Sequence, residues 1–88
     1  MRIIKFSALW CPSCLIMNSR INKIVGKYNI DIVEYDYDID EDMVSKYNVE
    51  SILPVIIFIN NDGLEVKRVI GEVSLKELIK IVEGESDE

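Results

Sequence analysis

The sequence has no histidine among its 88 residues. This absence excludes a Ser-His or Cys-His catalytic pair and any histidine metal ligand, so proton transfer is left to carboxylates, lysines, tyrosines or thiols. Basic residues are also scarce, since 10 Lys and Arg stand against 16 Asp and Glu and give a net charge of −6. A nucleic acid or an anionic membrane surface attracts a basic face, so we expect neither as a partner.

Long apolar runs are absent as well. None approaches the roughly 18 residues that a transmembrane helix needs, and the first six residues resemble a strand rather than a signal peptide. These features predict a cytoplasmic protein. In that compartment a close pair of cysteines is more often catalytic or metal-binding than structural.

What the sequence does contain is a regular succession of apolar segments. They predict the order β-α-β-α-β-β-α, with strands over 2–6, 31–36, 55–59 and 64–70 and helices starting at about residues 11, 41 and 75. A helical crossover makes the first two strands parallel, and the turn at 60–63 makes the last two a hairpin. We therefore expect an α/β fold, a mixed four-stranded sheet flanked by helices, with one domain over residues 1–84 and an acidic C-terminal tail over 85–88.

Two helix starts carry capping signals. Asp38 or Asp40 can cap the short second helix, and Ser74 with Glu77 forms the pattern of a capping box at the third. These signals predict side-chain hydrogen bonds to the first turn of each helix.

The only two cysteines, Cys11 and Cys14, lie where the first strand gives way to the first helix. Three residues apart on one helical turn, they can form a disulfide with little backbone change. The unpaired N–H groups and the dipole of a helix N-terminus stabilise an anion, which favours the thiolate of Cys11. Because a thiolate attacks disulfides and a thiol does not, the spacing predicts a redox pair, with Cys14 placed to attack a mixed disulfide on Cys11.

Two other interpretations of the cysteine pair are weaker. A structural zinc ion takes four Cys or His ligands, so this chain would need a dimer sharing the metal or help from carboxylates. A purely structural disulfide would close a very short loop and gain little loop-closure entropy. The sequence predicts no metal site.

The segment Trp10-Cys11-Pro12-Ser13-Cys14 resembles the active-site motif of the thioredoxin family. The resemblance extends over nearly the whole chain, which begins about one strand and one helix later than a full-length thioredoxin. The other matching positions are Phe6, Ile52-Leu53-Pro54, Asp62-Gly63, Gly71 and Ser74-Leu75.

The resemblance implies a thioredoxin-like fold and a protein-disulfide reductase. Cys11 is then the nucleophile and Cys14 the resolving thiol, with no metal or organic cofactor. The implied partners are disulfide-containing proteins and a thioredoxin-reductase-like electron donor, and we expect a monomer.

The resemblance also implies roles for five further residues. Trp10 shapes the apolar surface around the thiolate, and Pro12 belongs to the dipeptide that tunes the redox potential. Pro54 is expected to follow a cis peptide bond and to hold its loop against the sulfurs. The backbone of Leu53 is expected to pair with an extended substrate segment, and Gly71 to allow a partner to approach closely.

One pair of positions departs from the family pattern. Lys5 stands where thioredoxins commonly carry a buried aspartate, and Glu34 stands at the position of its usual lysine partner. Because burying either charge alone is costly, we expect a partly buried ion pair beneath the active site. Glu34, or water that it holds, could then accept the proton of Cys14.

Two alternative functions use the same motif. One is a glutaredoxin-like reductase coupled to glutathione, which the acidic charge and the tryptophan before the first cysteine make less favourable. The other is a redox-sensing module that binds a partner without turnover.

Overall fold

Residues 1–87 of the computed structural model fold in the predicted order of strands and helices, and side chains are described for residues 1–84. The predicted bounds of the second and third strands and the predicted starts of the second and third helices match, and the other bounds differ by about one residue. The elements are β1 (Arg2–Ser7), α1 (Pro12–Tyr28), β2 (Asp31–Asp36), α2 (Glu41–Lys46), β3 (Val55–Ile59), β4 (Glu65–Ile70) and α3 (Leu75–Asp87).

The four strands form one mixed sheet in the order β2-β1-β3-β4. Strand β1 is parallel to β2, as a helical crossover requires, and antiparallel to β3, which pairs with β4 as a hairpin. The apolar run of β3 is buried from Val55 to Phe58, because this strand has a neighbour on each side and cover on both faces. The predicted fold class is confirmed.

Each face of the sheet carries its own core. Helices α1 and α3 cover one face, and α2 covers part of the other. The first core contains Ile3, Met17, Ile21, Ile24, Ile56, Phe58 and Leu78, among others. The second contains Ile4, Phe6, Val55, Ile57 and both cysteines, among others. Because side chains alternate along a strand, Lys5 shares the face of Ile3 and lies under α1.

The helix ends show one confirmed cap and one wrong prediction. The Ser74 hydroxyl accepts the N–H of Glu77 at 3.1 Å, as predicted for α3. Asp40 occupies the N-cap position of α2, but its side chain makes no cap hydrogen bond. Its carboxylate instead accepts the N–H of Asp36 at 2.7 Å and closes the turn between β2 and α2. That closer donor takes the carboxylate away from the helix.

Within the described residues, no helix is long and apolar enough to cross a membrane. The predicted boundary between a domain ending at residue 84 and an acidic tail stays a prediction. Residue 88 and the side chains of residues 85–87 lie outside what the structure describes.

Candidate active site

The two cysteines lie together at the N-terminus of α1. Cys11 is the N-cap residue, with extended backbone at φ −100° and ψ 106°, and Pro12 follows at the first turn. The backbone N–H of Cys14 donates to the Cys11 sulfur, with 3.2 Å between nitrogen and Sγ. Both residues are buried free thiols. The Cys11 sulfur therefore occupies the place of a capping oxygen, where an anion is stabilised by a helix N–H group.

Cys14 is in a less favourable place for a thiolate. Burial, and after it the hydrogen bond to Cys11, raises the pKa of the Cys14 thiol from 9.0 to about 11. A backbone hydrogen bond with Ala8 and the positive charge of Lys5 act in the opposite direction. The Cys14 thiol therefore has a raised pKa, which the positive charge of Lys5 lowers only in part.

The predicted ion pair between Lys5 and Glu34 is present. The two residues face each other in the parallel register of β1 and β2, and Lys5 Nζ lies 2.6 Å from Glu34 Oε1. The lysine side chain is 3% exposed and the glutamate side chain 60% exposed. The lysine ammonium also donates to Asn18 Oδ1 from α1. The pair thus extends from the buried site to the surface.

Trp10 makes a side-chain hydrogen bond that was not predicted from the sequence. Its indole Nε1 donates to Asp38 Oδ2 at 2.7 Å, while the side chain remains largely exposed. Its neighbour Leu9 is almost fully exposed. The hydrogen bond fixes one edge of the indole to the turn after β2, which leaves an oriented apolar surface beside Cys11.

The loop before β3 brings together the other predicted residues. The Leu53–Pro54 peptide bond is cis, as predicted, and both residues belong to the buried part of the chain. Gly71 donates its N–H to the carbonyl of Pro54 at 2.8 Å. Its φ of +84° is unfavourable for any residue with a Cβ. Gly71 is therefore needed for the backbone path beside this loop, and its predicted role in partner approach stays a prediction.

Asn18 is a further residue of the site that was not predicted from the sequence. A signal was available, because Asn18 lies one turn after Cys14 on α1, and residues four apart share a helix face. A polar side chain on the sheet-facing side of a helix, where the neighbouring side chains are apolar, requires a polar partner. Lys5 supplies that partner for Asn18.

Comparison with known proteins identifies the family. The thioredoxin family model matches residues 1–84. Thioredoxin H2 of Arabidopsis thaliana is 31% identical over 70 residues, which cover 78% of this chain and 51% of that protein. A thioredoxin of Staphylococcus epidermidis is 29% identical over 84 residues, 93% of this chain and 79% of that protein. The chain thus spans about half the length of the first relative and most of the second.

A solved structure agrees with these sequence matches. Thioredoxin 1 of Thermosipho africanus superimposes with a TM-score of 0.88 at 25% identity, covering 99% of this chain and 96% of that one. The agreement in fold with this structure supports the match to the family model over residues 1–84. The chain belongs to the thioredoxin family, a family of protein-disulfide oxidoreductases.

Proposed function

We propose that this protein reduces protein disulfides by two successive thiol exchanges. The observation that carries the proposal is the capped sulfur of Cys11, which accepts the N–H of Cys14 at the N-terminus of α1. In the first exchange the Cys11 thiolate attacks one sulfur of the substrate disulfide and releases the other as a thiolate. In the second, the Cys14 thiolate attacks Cys11 Sγ, forms the Cys11–Cys14 disulfide and releases the second substrate sulfur. Both released thiolates take up protons, so the substrate gains two electrons and two protons.

The second exchange requires Cys14 to lose its proton first. Glu34, or water that it holds, is proposed to accept this proton. Its carboxylate is half-exposed and paired with Lys5, so it connects the buried site to solvent. A Glu34→Gln variant tests this role: the resolving step is expected to slow while the attack by Cys11 is retained. If the rate of the resolving step in Glu34→Gln equals that of the wild-type protein over the pH range, the proton of Cys14 passes directly to solvent.

Substrate is proposed to bind across Trp10, Leu53, Pro54 and Gly71. The tethered indole offers an apolar surface, and the Leu53 backbone is proposed to pair with an extended substrate segment. The partners proposed are disulfide-containing proteins and a thioredoxin-reductase-like electron donor. A monomeric state and a cytoplasmic location stay predictions.

The test is the reduction of insulin disulfides with dithiothreitol as electron source. The wild-type protein is expected to accelerate the reaction, and Cys11→Ser to abolish the acceleration. When Cys14→Ser is mixed with insulin without dithiothreitol, it is expected to accumulate a covalent Cys11–substrate adduct, which is seen by mass spectrometry and released by added dithiothreitol. Binding of insulin without acceleration and without an adduct would favour the redox-sensing module.

The electron donor separates the reductase from its glutathione-coupled alternative. A thioredoxin-like pair is expected to equilibrate near about −270 mV, whereas glutaredoxins lie at about −200 to −230 mV. Equilibration of the Cys11–Cys14 pair against dithiothreitol and glutathione buffers gives this value. Efficient turnover with glutathione alone, together with the higher potential, would replace the main proposal with the glutaredoxin-like one.

A further inference from the structure

A buried ammonium group lies under the helix that carries the deeper sulfur of the site. Lys5 is 3% exposed and Cys14 is 2% exposed. Asn18, one turn after Cys14 on the same helix, accepts a hydrogen bond from Lys5 Nζ. The helix that carries the resolving cysteine therefore also holds the cation through a side chain on the same face.

We propose that Lys5, oriented by Asn18, is a positioning residue that stabilises the thiolate of Cys14 for the resolving step. This inference rests on the proposed function, because it concerns the second of the two exchanges. The proton of Cys14 leaves for solvent or Glu34, and the remaining negative charge on sulfur is balanced by the ammonium. That thiolate then forms the bond to Cys11 Sγ as the bond from Cys11 to the substrate sulfur breaks.

The two acceptors around Lys5 differ in charge and exposure. Asn18 is neutral, so it holds the ammonium without cancelling its charge. The Glu34 side chain is 60% exposed, so water screens much of its negative charge. A net positive potential is therefore left on the buried side of the pair, under the helix that carries Cys14. The lowering effect of Lys5 on the pKa of Cys14 agrees with this direction.

The surroundings of Cys14 offer few competing charges. At the N-cap of α1 the titratable neighbour is Cys11, whose sulfur raises the pKa of Cys14. On β1 it is Lys5, and on β2 Glu34 acts through Lys5. The loop residues Ile52, Leu53 and Pro54 have no titratable group. The core that contains Cys14 is also packed by Tyr35, Tyr37 and Tyr47, which bring no positive charge. Lys5 is thus the one cation among the groups that act on this sulfur in the described part of the chain.

The experiment follows the titration of Cys14 by its ¹³Cβ chemical shift in reduced, cysteine-labelled protein. Lys5→Met is expected to lower the thiolate fraction of Cys14 about tenfold at a fixed pH below its pKa, the size expected for loss of one nearby charge. Lys23→Met is the matched control, because it removes one positive charge from an exposed position of α1. Lys23 lies nine residues after Cys14, about 13 Å further along the helix. The titration midpoint of Cys14 should therefore be unchanged in Lys23→Met.

Asn18→Asp provides a second variant that does not remove the lysine. Its added negative charge neutralises the ammonium on the Cys14 side, so the thiolate fraction is expected to fall in the same direction. The inference is overturned if the titration midpoint of Cys14 is unchanged in a folded Lys5→Met protein. If Lys5→Met does not fold, an unchanged midpoint in Asn18→Asp overturns it.

A separate measurement keeps this inference distinct from the proposed function. In a Cys14→Ser background, the rate at which Cys11 forms the insulin adduct is expected to be the same with Lys5 and with Met at that position. If no adduct forms in either protein, the proposed reductase function fails. If adducts form equally and only the Cys14 titration stays unmoved, the role of Lys5 fails alone.

Discussion

The pKa of Cys14 leads to a prediction about stability at alkaline pH. The pKa is raised to about 11 in the fold from 9.0 for an ordinary cysteine, chiefly by burial. Below pH 9 both the folded and the unfolded chain hold this proton, so the thiol makes no pH-dependent contribution. Between pH 9 and 11 the unfolded chain releases the proton first, so the free energy of unfolding falls as pH rises. Two pKa units at 1.36 kcal/mol each give a total loss on the order of 3 kcal/mol.

Urea unfolding of the reduced protein at pH 8, 9 and 10.5 measures this loss. Cys14→Ala and the oxidised protein are the controls, because neither has a thiol at this position while both keep every tyrosine, lysine and arginine. The reduced wild-type protein is expected to lose about 1.5 kcal/mol more than Cys14→Ala between pH 9 and 10.5. Parallel curves for the two proteins would refute the argument, since Cys14 would then ionise equally in the folded and unfolded chains.

Three further substitutions, two of them with a matched control variant, test the packing and the loops by urea unfolding at neutral pH. Ile21→Ala, in the core under α1, is expected to lower the free energy of unfolding by about 2–5 kcal/mol. Its control, Ile16→Ala on the half-exposed side of the same helix, should change it by no more than about 0.5 kcal/mol. Equal effects of the two substitutions would contradict the assigned helix face. Gly71→Ala forces a Cβ into φ +84° and should destabilise by about 1–2 kcal/mol, while Gly26→Ala, in open space within α1, should stabilise by about 0.5–1 kcal/mol. Trp10→Phe removes the exposed indole hydrogen bond and should cost about 0.5–1 kcal/mol; no loss would mean that the tether does not hold in solution.

The fold was predictable because its signals are local and repeated. The five-residue apolar run of β3 predicts a strand buried on both faces, and the structure buries four of its five residues. The helical length between β1 and β2 predicts a parallel crossover, and the short turn after β3 predicts a hairpin. Each of these inferences uses only neighbours in sequence, so no knowledge of distant contacts was needed.

The side-chain contacts of the site were only partly predictable, because they depend on competition between distant or alternative partners. Asp40 has the residue type and the position of a helix cap, yet its carboxylate bonds to the N–H of Asp36 instead. From the sequence Asp38 is a candidate helix cap, whereas in the fold its carboxylate accepts the indole N–H of Trp10, 28 positions away. Residue type and spacing identify which groups need a partner, but the tertiary fold decides which partner they find.

The charge beneath the cysteines illustrates the difference between a contact that stabilises the fold and one that serves the reaction. Replacing Lys5 by methionine keeps the length of its apolar stem, and it leaves Glu34 in water rather than buried, because that side chain is 60% exposed. The remaining penalty is one unpaired oxygen on Asn18, about 1–3 kcal/mol if it stays dry, and it is offset because no ammonium has to be desolvated on folding. We therefore expect Lys5→Met to change the free energy of unfolding little at neutral pH, while the resolving step slows. A lysine kept there only for stability would show the opposite pattern, with a large loss in urea unfolding and an unchanged Cys14 titration.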